Sequence, residues 1–123
     1  MAKRCVFISL LFSFFGTALF ADVEVTLLSA NLVRNNHVGN EWFWEAKANS
    51  KGQDRNDTVH LSVKAVTLSA TVVEQDKIPD VGRGSLRVTK SGEYELEVIV
   101  RENRGRYSGN TARWVFVFQV VIE

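Results

Sequence analysis

Three acidic residues lie close together in one turn-like segment, and their spacing is typical of a calcium-binding loop. They are Glu74, Asp76 and Asp80. Calcium takes about six to eight hard oxygen ligands, which these carboxylates and nearby backbone carbonyls would partly supply. Asp54 and Asp57 would add two more carboxylates if their loop lies at the same end of the fold. The alternative interpretation is a solvated turn with no ligand.

A second candidate binding site is the arginine-rich segment 101–113. Its candidate partner-binding residues are Arg101, Arg104, Arg106, Tyr107 and Arg113. Guanidinium groups bind carboxylates, sulfates or phosphates through paired hydrogen bonds, and tyrosine adds a rigid contact surface. The alternative is a solubilising hairpin in which the arginines pair with nearby glutamates. These glutamates are Glu93, Glu95, Glu97 and Glu102.

Catalytic motifs are absent from the sequence. The histidines are His37 and His60, and there is no Gly-x-Ser-x-Gly, His-Glu-x-x-His or phosphate-binding loop. We therefore predict that the protein is not an enzyme. We expect no cofactor, unless calcium binds at the acidic segment.

The aromatic cluster Trp42–Phe43–Trp44 has two interpretations. Exposed aromatic rings would stack on sugar rings, whereas buried ones belong to the core. Trp42 and Trp44 share one face of an alternating segment, which favours the core for that pair. Phe43 shares the opposite face with charged residues.

Alternation of apolar and polar residues with a period of two positions these candidate sites, and no long window has helical spacing. The alternating or β-branched runs are 23–27, 41–48, 59–65, 68–74, 85–89, 94–101 and 113–122. Turn-rich segments separate them, at 35–40, 49–57, 75–84, 90–92 and 102–111. Short strands at this spacing predict an all-β fold, an antiparallel β-sandwich of about seven strands. The last run has apolar residues on both faces, which predicts a central strand covered on both sides.

The segment 91–105 resembles the closing strands of immunoglobulin-like and PKD-like extracellular domains. It has a Gly-x-Tyr opening at Gly92–Tyr94, then alternating aliphatic residues and a glycine-containing turn at 101–105. In such domains the tyrosine buries its ring and returns its hydroxyl to the backbone at a corner. The resemblance implies an immunoglobulin-like sandwich that lacks the Cys–Trp–Cys core.

Two other segments resemble C2 domains. Residues 25–32 are similar to their opening strand, and residues 73–82 are similar to their third calcium loop. The acidic positions of that loop fall on Glu74, Asp76 and Asp80, whereas the first loop, 35–40, has no aspartate. This resemblance implies a C2-like sandwich as the alternative fold.

The N-terminus has the pattern of a secretory signal peptide. Two basic residues precede a stretch without charge that runs from Cys5 to Ala21. We predict that residues 1–21 are the signal peptide and that residues 22–123 form a single domain. Cleavage after Ala18 and retention as an uncleaved anchor are the alternatives. Cleavage after residue 21 removes the only cysteine and two basic residues, so the net charge changes from +1 to −1.

These observations predict an exported protein, periplasmic or secreted, and the cysteine-free domain favours a bacterial source. The expected function is a non-enzymatic binding or interaction module that contacts another macromolecule through its end loops or a strand edge. The alternatives are a calcium-dependent C2-like ligand-binding module and a structural subunit of an envelope assembly. We expect a protein or glycan partner and no membrane span after cleavage. The net charge of −1 argues against nucleic acid.

Overall fold

The computed structural model describes residues 21–123. The predicted signal peptide therefore lies outside the described residues, apart from Ala21, and it stays a prediction. Within residues 21–123 there is no helix of the length and apolarity needed to cross a membrane.

Two four-stranded antiparallel sheets pack face to face, as the predicted β-sandwich requires. The strands are β1 (Ala21–Asn35), β2 (Trp42–Ala48), β3 (Lys51–Gln53), β4 (Thr58–Val63), β5 (Val66–Glu74), β6 (Asp80–Val88), β7 (Gly92–Arg101) and β8 (Thr111–Ile122). One sheet has the order β4-β1-β8-β7 and the other has the order β3-β2-β5-β6. The all-β prediction is confirmed.

Two strands differ clearly from the prediction, one in its existence and one in where it begins. The short strand β3 lies inside segment 49–57, which the sequence predicts to be a turn. Strand β6 begins at Asp80, whereas the predicted turn extends to Gly84. The prediction was wrong there because Gly82 and Gly84 are strand residues, although glycine clusters usually mark turns.

Gly82 and Gly84 allow the edge strand β6 to lie directly against β7, the edge strand of the other sheet. A Cβ atom on Gly82 would collide with the carbonyl oxygen of Ile99. A Cβ atom on Gly84 would lie 2.8 Å from the carbonyl oxygen of Glu97. Glycine is required where two backbones approach this closely, so this side of the sandwich is closed by backbone packing.

The core lies between the sheets, and β8 supplies its largest fully buried side chains, Phe116 and Phe118. Trp42 lies edge-on to Trp114 with ring centroids 5.7 Å apart, and Trp44 lies edge-on to Phe116 at 5.5 Å. Aromatic pairs in this edge-to-face geometry contribute favourable energy in addition to that of the apolar area they bury. The prediction that Trp42 and Trp44 belong to the core is confirmed.

The outer faces of the two sheets keep some apolar residues in contact with solvent. Strand β8 lies between β1 and β7, so the prediction of a central strand is confirmed. Its outer face is only partly covered, because Val115 and Val117 are half-buried and Val121 is exposed. Phe43, on the outer face of the other sheet, is 58% exposed. The prediction that β8 is covered on both sides was therefore wrong.

Tyr94, near the start of β7, forms the corner expected from the immunoglobulin-like resemblance. Its ring is partly buried against the core, and its hydroxyl donates a hydrogen bond to the carbonyl oxygen of Lys90 at 2.7 Å. The hydrogen bond joins the strand to the turn that precedes it, as the corner does in immunoglobulin-like sandwiches.

Candidate metal centre

The three carboxylates predicted to bind calcium lie at one end of the sandwich, around the turn between β5 and β6. Glu74 ends β5, Asp80 begins β6, and the two residues are paired in register. Asp76 lies in the turn, where its Oδ1 accepts a hydrogen bond from the backbone N–H of Ile78 at 3.0 Å. Oxygen atoms of the three carboxylates lie within 4.8 Å of one another. The structure thus brings together the residues that the sequence singled out.

Two of these three carboxylates are buried. Glu74 is 4% exposed and Asp80 is 1% exposed, whereas Asp76 is exposed. Glu74 continues the inward-facing positions of β5 after Ala70 and Val72, so a charged group stands where the pattern calls for an apolar one. The interpretation as a solvated turn therefore fits Asp76 but not the buried Glu74 and Asp80.

Each buried carboxylate has one oxygen with a partner and one without. Glu74 Oε2 accepts a hydrogen bond from the backbone N–H of Glu41 at 3.3 Å. Asp80 Oδ1 accepts one from the backbone N–H of Asn103 at 2.9 Å. Within the described chain, Glu74 Oε1 and Asp80 Oδ2 are buried and have no hydrogen-bond partner. Such groups are rare in folded proteins, since buried polar atoms are nearly always satisfied.

A fourth carboxylate, that of Glu102, joins this acidic cluster from the other sheet. Glu102 directly follows β7, and its Oε1 is also buried without a partner among the described residues. The pKa of Glu102 is raised to about 7, mainly by burial and further by the hydrogen bond and the negative charge of the adjacent Asp80 carboxylate. The charges of Asp76 and Glu74 act in the same direction. No local pattern groups Glu102 with the other three residues, because it lies far along the chain from them.

The charged form of Glu74, like that of Glu102, is disfavoured by its surroundings. Burial raises the pKa of Glu74, and the negative charges of Asp76 and Asp80 raise it further. The backbone N–H of Glu41 opposes this rise, because it stabilises the ionised form. Like charges at this separation repel one another, so the cluster favours a bound positive charge.

Gly39, in the loop before β2, fits closely against the Glu74 carboxylate. A Cβ atom on Gly39 would overlap Glu74 Oε2, and its φ of +145° lies outside the range that other residues readily adopt. The first loop thus supplies a glycine and a backbone N–H to the site and no carboxylate.

The donor set indicates which ion the cluster suits. Its four members, Glu74, Asp76, Asp80 and Glu102, offer hard carboxylate oxygens. Within residues 21–123, the compact group formed by Glu74, Asp76 and Asp80 contains no histidine or cysteine, and Glu102 adds a further carboxylate beside it. Such oxygen-only sets suit calcium or magnesium rather than zinc or copper.

Asp54 and Asp57 do not join the cluster. The Oδ2 atom of Asp57 accepts a hydrogen bond from the backbone N–H of Asp54 at 3.1 Å, within their own turn. The acidic group found among the described residues does not include either of them.

The cluster predicts how stability depends on pH when no divalent cation is present. Glu102 has a pKa of about 7 in the folded protein, compared with an ordinary value of 4.5. Between these values the folded state binds more protons than the unfolded state. The free energy of unfolding should therefore fall as pH rises from about 4.5 to about 7, and level off above it. Urea denaturation in EDTA at pH 5, 6, 7 and 8 measures this dependence.

The Glu102→Gln variant is the control for this prediction, since its side chain carries no titrating carboxyl. We expect the decline with pH to be shallower in this variant than in the wild type. Identical pH dependence in the two proteins would contradict the assignment to Glu102.

Comparison with known proteins adds no family assignment. The sequence matches no protein-family model, and no curated protein matches it at a significant level. The cluster is therefore interpreted from its own geometry.

The predicted arginine site is only partly assembled. Arg113 pairs with Glu97 on the outer face of the sheet, and Arg101 donates a hydrogen bond to the carbonyl oxygen of Gly109 at 2.9 Å. The first contact is one of the ion pairs expected for a solubilising hairpin. Both arginines thus have structural partners, which leaves them less suited to hold a ligand.

The tip of the same loop presents the other members of that site. Arg104, Arg106 and Tyr107 are exposed. The Arg106 guanidinium lies 5.6 Å from the centre of the Tyr107 ring, and this ring stacks on His37 at 4.5 Å. The stacking joins the loop between β7 and β8 to the loop between β1 and β2, next to the acidic cluster.

Proposed function

We propose that the protein is an exported, non-enzymatic binding module whose functional end is a calcium site formed by Glu74, Asp76, Asp80 and Glu102. The proposal unites two functions expected from the sequence, an interaction module that uses its end loops and a calcium-dependent ligand-binding module.

One observation carries the proposal, namely three buried carboxylate oxygens without a hydrogen-bond partner in residues 21–123. They are Oε1 of Glu74, Oδ2 of Asp80 and Oε1 of Glu102. Ionised carboxylates only accept hydrogen bonds, so in their charged forms the three groups cannot satisfy one another, and a proton on Glu102 would pair it with Asp80 alone. Burying an uncompensated charge costs several kcal/mol or more. A divalent cation among these oxygens would remove both the missing contacts and the repulsion.

Calcium fits this site better than magnesium. Three of the ligands come from a five-residue turn and its flanking strand ends, and the fourth comes from a separate loop. Calcium tolerates such irregular, carboxylate-rich arrangements, whereas magnesium demands near-ideal octahedral geometry and keeps several waters.

Export and the absence of catalysis rest on the sequence. The charged start and apolar stretch before Ala21 support export. The lack of any recognised catalytic motif supports a binding role.

Calcium titration of the purified protein tests the proposal. Extracellular modules bind calcium with Kd of about 0.1–1 mM. At about 10 mM calcium, binding of this strength stabilises the folded state by about 1.4–2.7 kcal/mol. We therefore expect Tm to rise by roughly 6–20 °C. Trp42 faces Glu74 across β2 and β5, so we also expect a change in tryptophan fluorescence.

Magnesium at the same concentration and sodium chloride at the same ionic strength are the controls. Both should give smaller rises in Tm than calcium. An unchanged Tm with calcium, or equal rises with all three salts, would refute the calcium site.

A further inference from the structure

A cavity of about 400 Å³ opens beside the proposed calcium site. It is lined by Asp76, Lys77, Ile78, Glu102, Arg104 and Gly105. Asp76 and Glu102 are also members of the acidic cluster. A molecule in this cavity would therefore lie next to the ion as well as to the loop tips.

The charges around the cavity favour a neutral ligand. Lys77 and Arg104 contribute two positive charges to its wall, and no ion pair within the described residues involves either of them. Together with a calcium ion, they balance the four carboxylates of the cluster. A phosphate or carboxylate ligand would add a negative charge that the wall of the cavity does not compensate.

The coordination of calcium leaves room for such a ligand. Four carboxylates that each give one oxygen fill four positions, whereas calcium takes about six to eight. Two adjacent hydroxyl groups on a sugar ring would supply two neutral oxygens at once. Lys77 and Arg104 are hydrogen-bond donors for further hydroxyls. Ile78, which is 44% exposed, offers apolar contact to the carbon face of the ring.

We propose that this cavity binds a carbohydrate through a pair of adjacent hydroxyl groups that complete the coordination of the calcium ion. The inference rests on the proposed calcium site. It gives the binding module a ligand class, and it assigns Lys77, Ile78 and Arg104 to ligand contact rather than to the ion.

The experiment measures calcium binding first, by tryptophan fluorescence, and then adds ligands to the calcium-saturated protein. The probes are methyl α-mannoside and methyl α-galactoside, with acetate and methyl phosphate as anionic comparisons. Backbone amide chemical shifts report where each probe binds. With calcium present, we expect at least one of the two glycosides to change the amide chemical shifts of Lys77, Ile78, Arg104 and Gly105. In EDTA, we expect neither glycoside to change them.

A pair of arginine variants separates the effect of the cavity from the loss of a surface positive charge. Arg104→Ala should weaken glycoside binding by about tenfold, the loss expected for one hydrogen bond from a charged donor. Its calcium affinity should change by less than about threefold. Arg87→Ala is the control, because this exposed arginine lies near the end of β6 that is remote from Asp80 and not in the cavity wall, and it should leave both affinities unchanged.

Each other outcome overturns the inference. If calcium binds but neither glycoside shifts these amides, the carbohydrate assignment is wrong. If acetate or methyl phosphate binds instead, the cavity is an anion site. Glycoside binding that persists in EDTA would contradict the role of the ion. If calcium itself does not bind, the proposed function fails, and the inference fails with it.

Discussion

Replacing Gly82 with alanine should lower the free energy of unfolding by about 3 kcal/mol or more, the largest effect we expect from any single methyl group in this protein. The added Cβ would collide with the carbonyl oxygen of Ile99. This oxygen belongs to the backbone of β7, so no side-chain rotation relieves the overlap. Strand β6 must move away from β7, which separates the two sheets along this side. Urea denaturation measures the loss, and we expect Tm to fall by about 12 °C or more.

Gly52→Ala is the matched control for this prediction. Gly52 lies in strand β3, and a Cβ atom there would meet nothing within 4 Å. Alanine in place of glycine restricts the unfolded chain, so this variant should be as stable as the wild type or more stable by up to about 1 kcal/mol. Equal stability of the two variants would contradict the role assigned to the contact between β6 and β7.

Replacing Asp80 with asparagine should abolish most of the calcium response. Asparagine keeps an oxygen that can accept the hydrogen bond from the N–H of Asn103, so the loop contact is preserved. It removes the charge of a carboxylate that is 1% exposed and lies at the centre of the cluster. Calcium affinity depends on the number of charged ligands, so we expect Kd to rise by about tenfold or more. Isothermal titration calorimetry with calcium measures this change.

The same variant should behave differently in EDTA. Without a cation, loss of the charge at position 80 removes its repulsion with Glu74 and Glu102, so Asp80→Asn should be at least as stable as the wild type at pH 8. Asp54→Asn is the matched control, since Asp54 is exposed and lies outside the cluster. It should leave the calcium affinity unchanged. If Asp80→Asn also retained wild-type affinity, Asp80 would not be a calcium ligand.

The fold could be predicted from the sequence because the alternation of apolar residues is strong in almost every strand. The alternation also placed Trp42 and Trp44 on the face that packs against the core, and the resemblance to immunoglobulin-like domains implied the corner formed by Tyr94. The errors arose at Gly82 and Gly84, whose residue type favours a turn. These glycines allow two edge strands to approach each other closely. A contact between segments so far apart in the chain produces no local pattern in the sequence.

The candidate site also divides into residues that a local pattern grouped and a residue that only the three-dimensional structure adds. Glu74, Asp76 and Asp80 are close in the sequence, so their spacing was sufficient to group them. Glu102 reaches them only because β7 packs against β6, and this proximity depends on the three-dimensional structure. The burial of Glu74 was foreseeable, since it continues the inward-facing positions of β5. The lack of a hydrogen-bond partner for Glu74 Oε1 could not be foreseen, because tertiary contacts determine which partners a buried atom has.

The sheet membership of the four carboxylates has a mechanical consequence. Glu74, Asp76 and Asp80 belong to β5, β6 and the turn between them, whereas Glu102 follows β7 in the opposite sheet. A calcium ion held by all four would act as a crosslink between the sheets, in a domain whose residues 22–123 contain no cysteine for a disulfide. A crosslink broken before the transition state of unfolding slows unfolding more than it speeds folding. Calcium would then set the lifetime of the folded domain, and its removal would expose the chain to proteolysis within a shorter time.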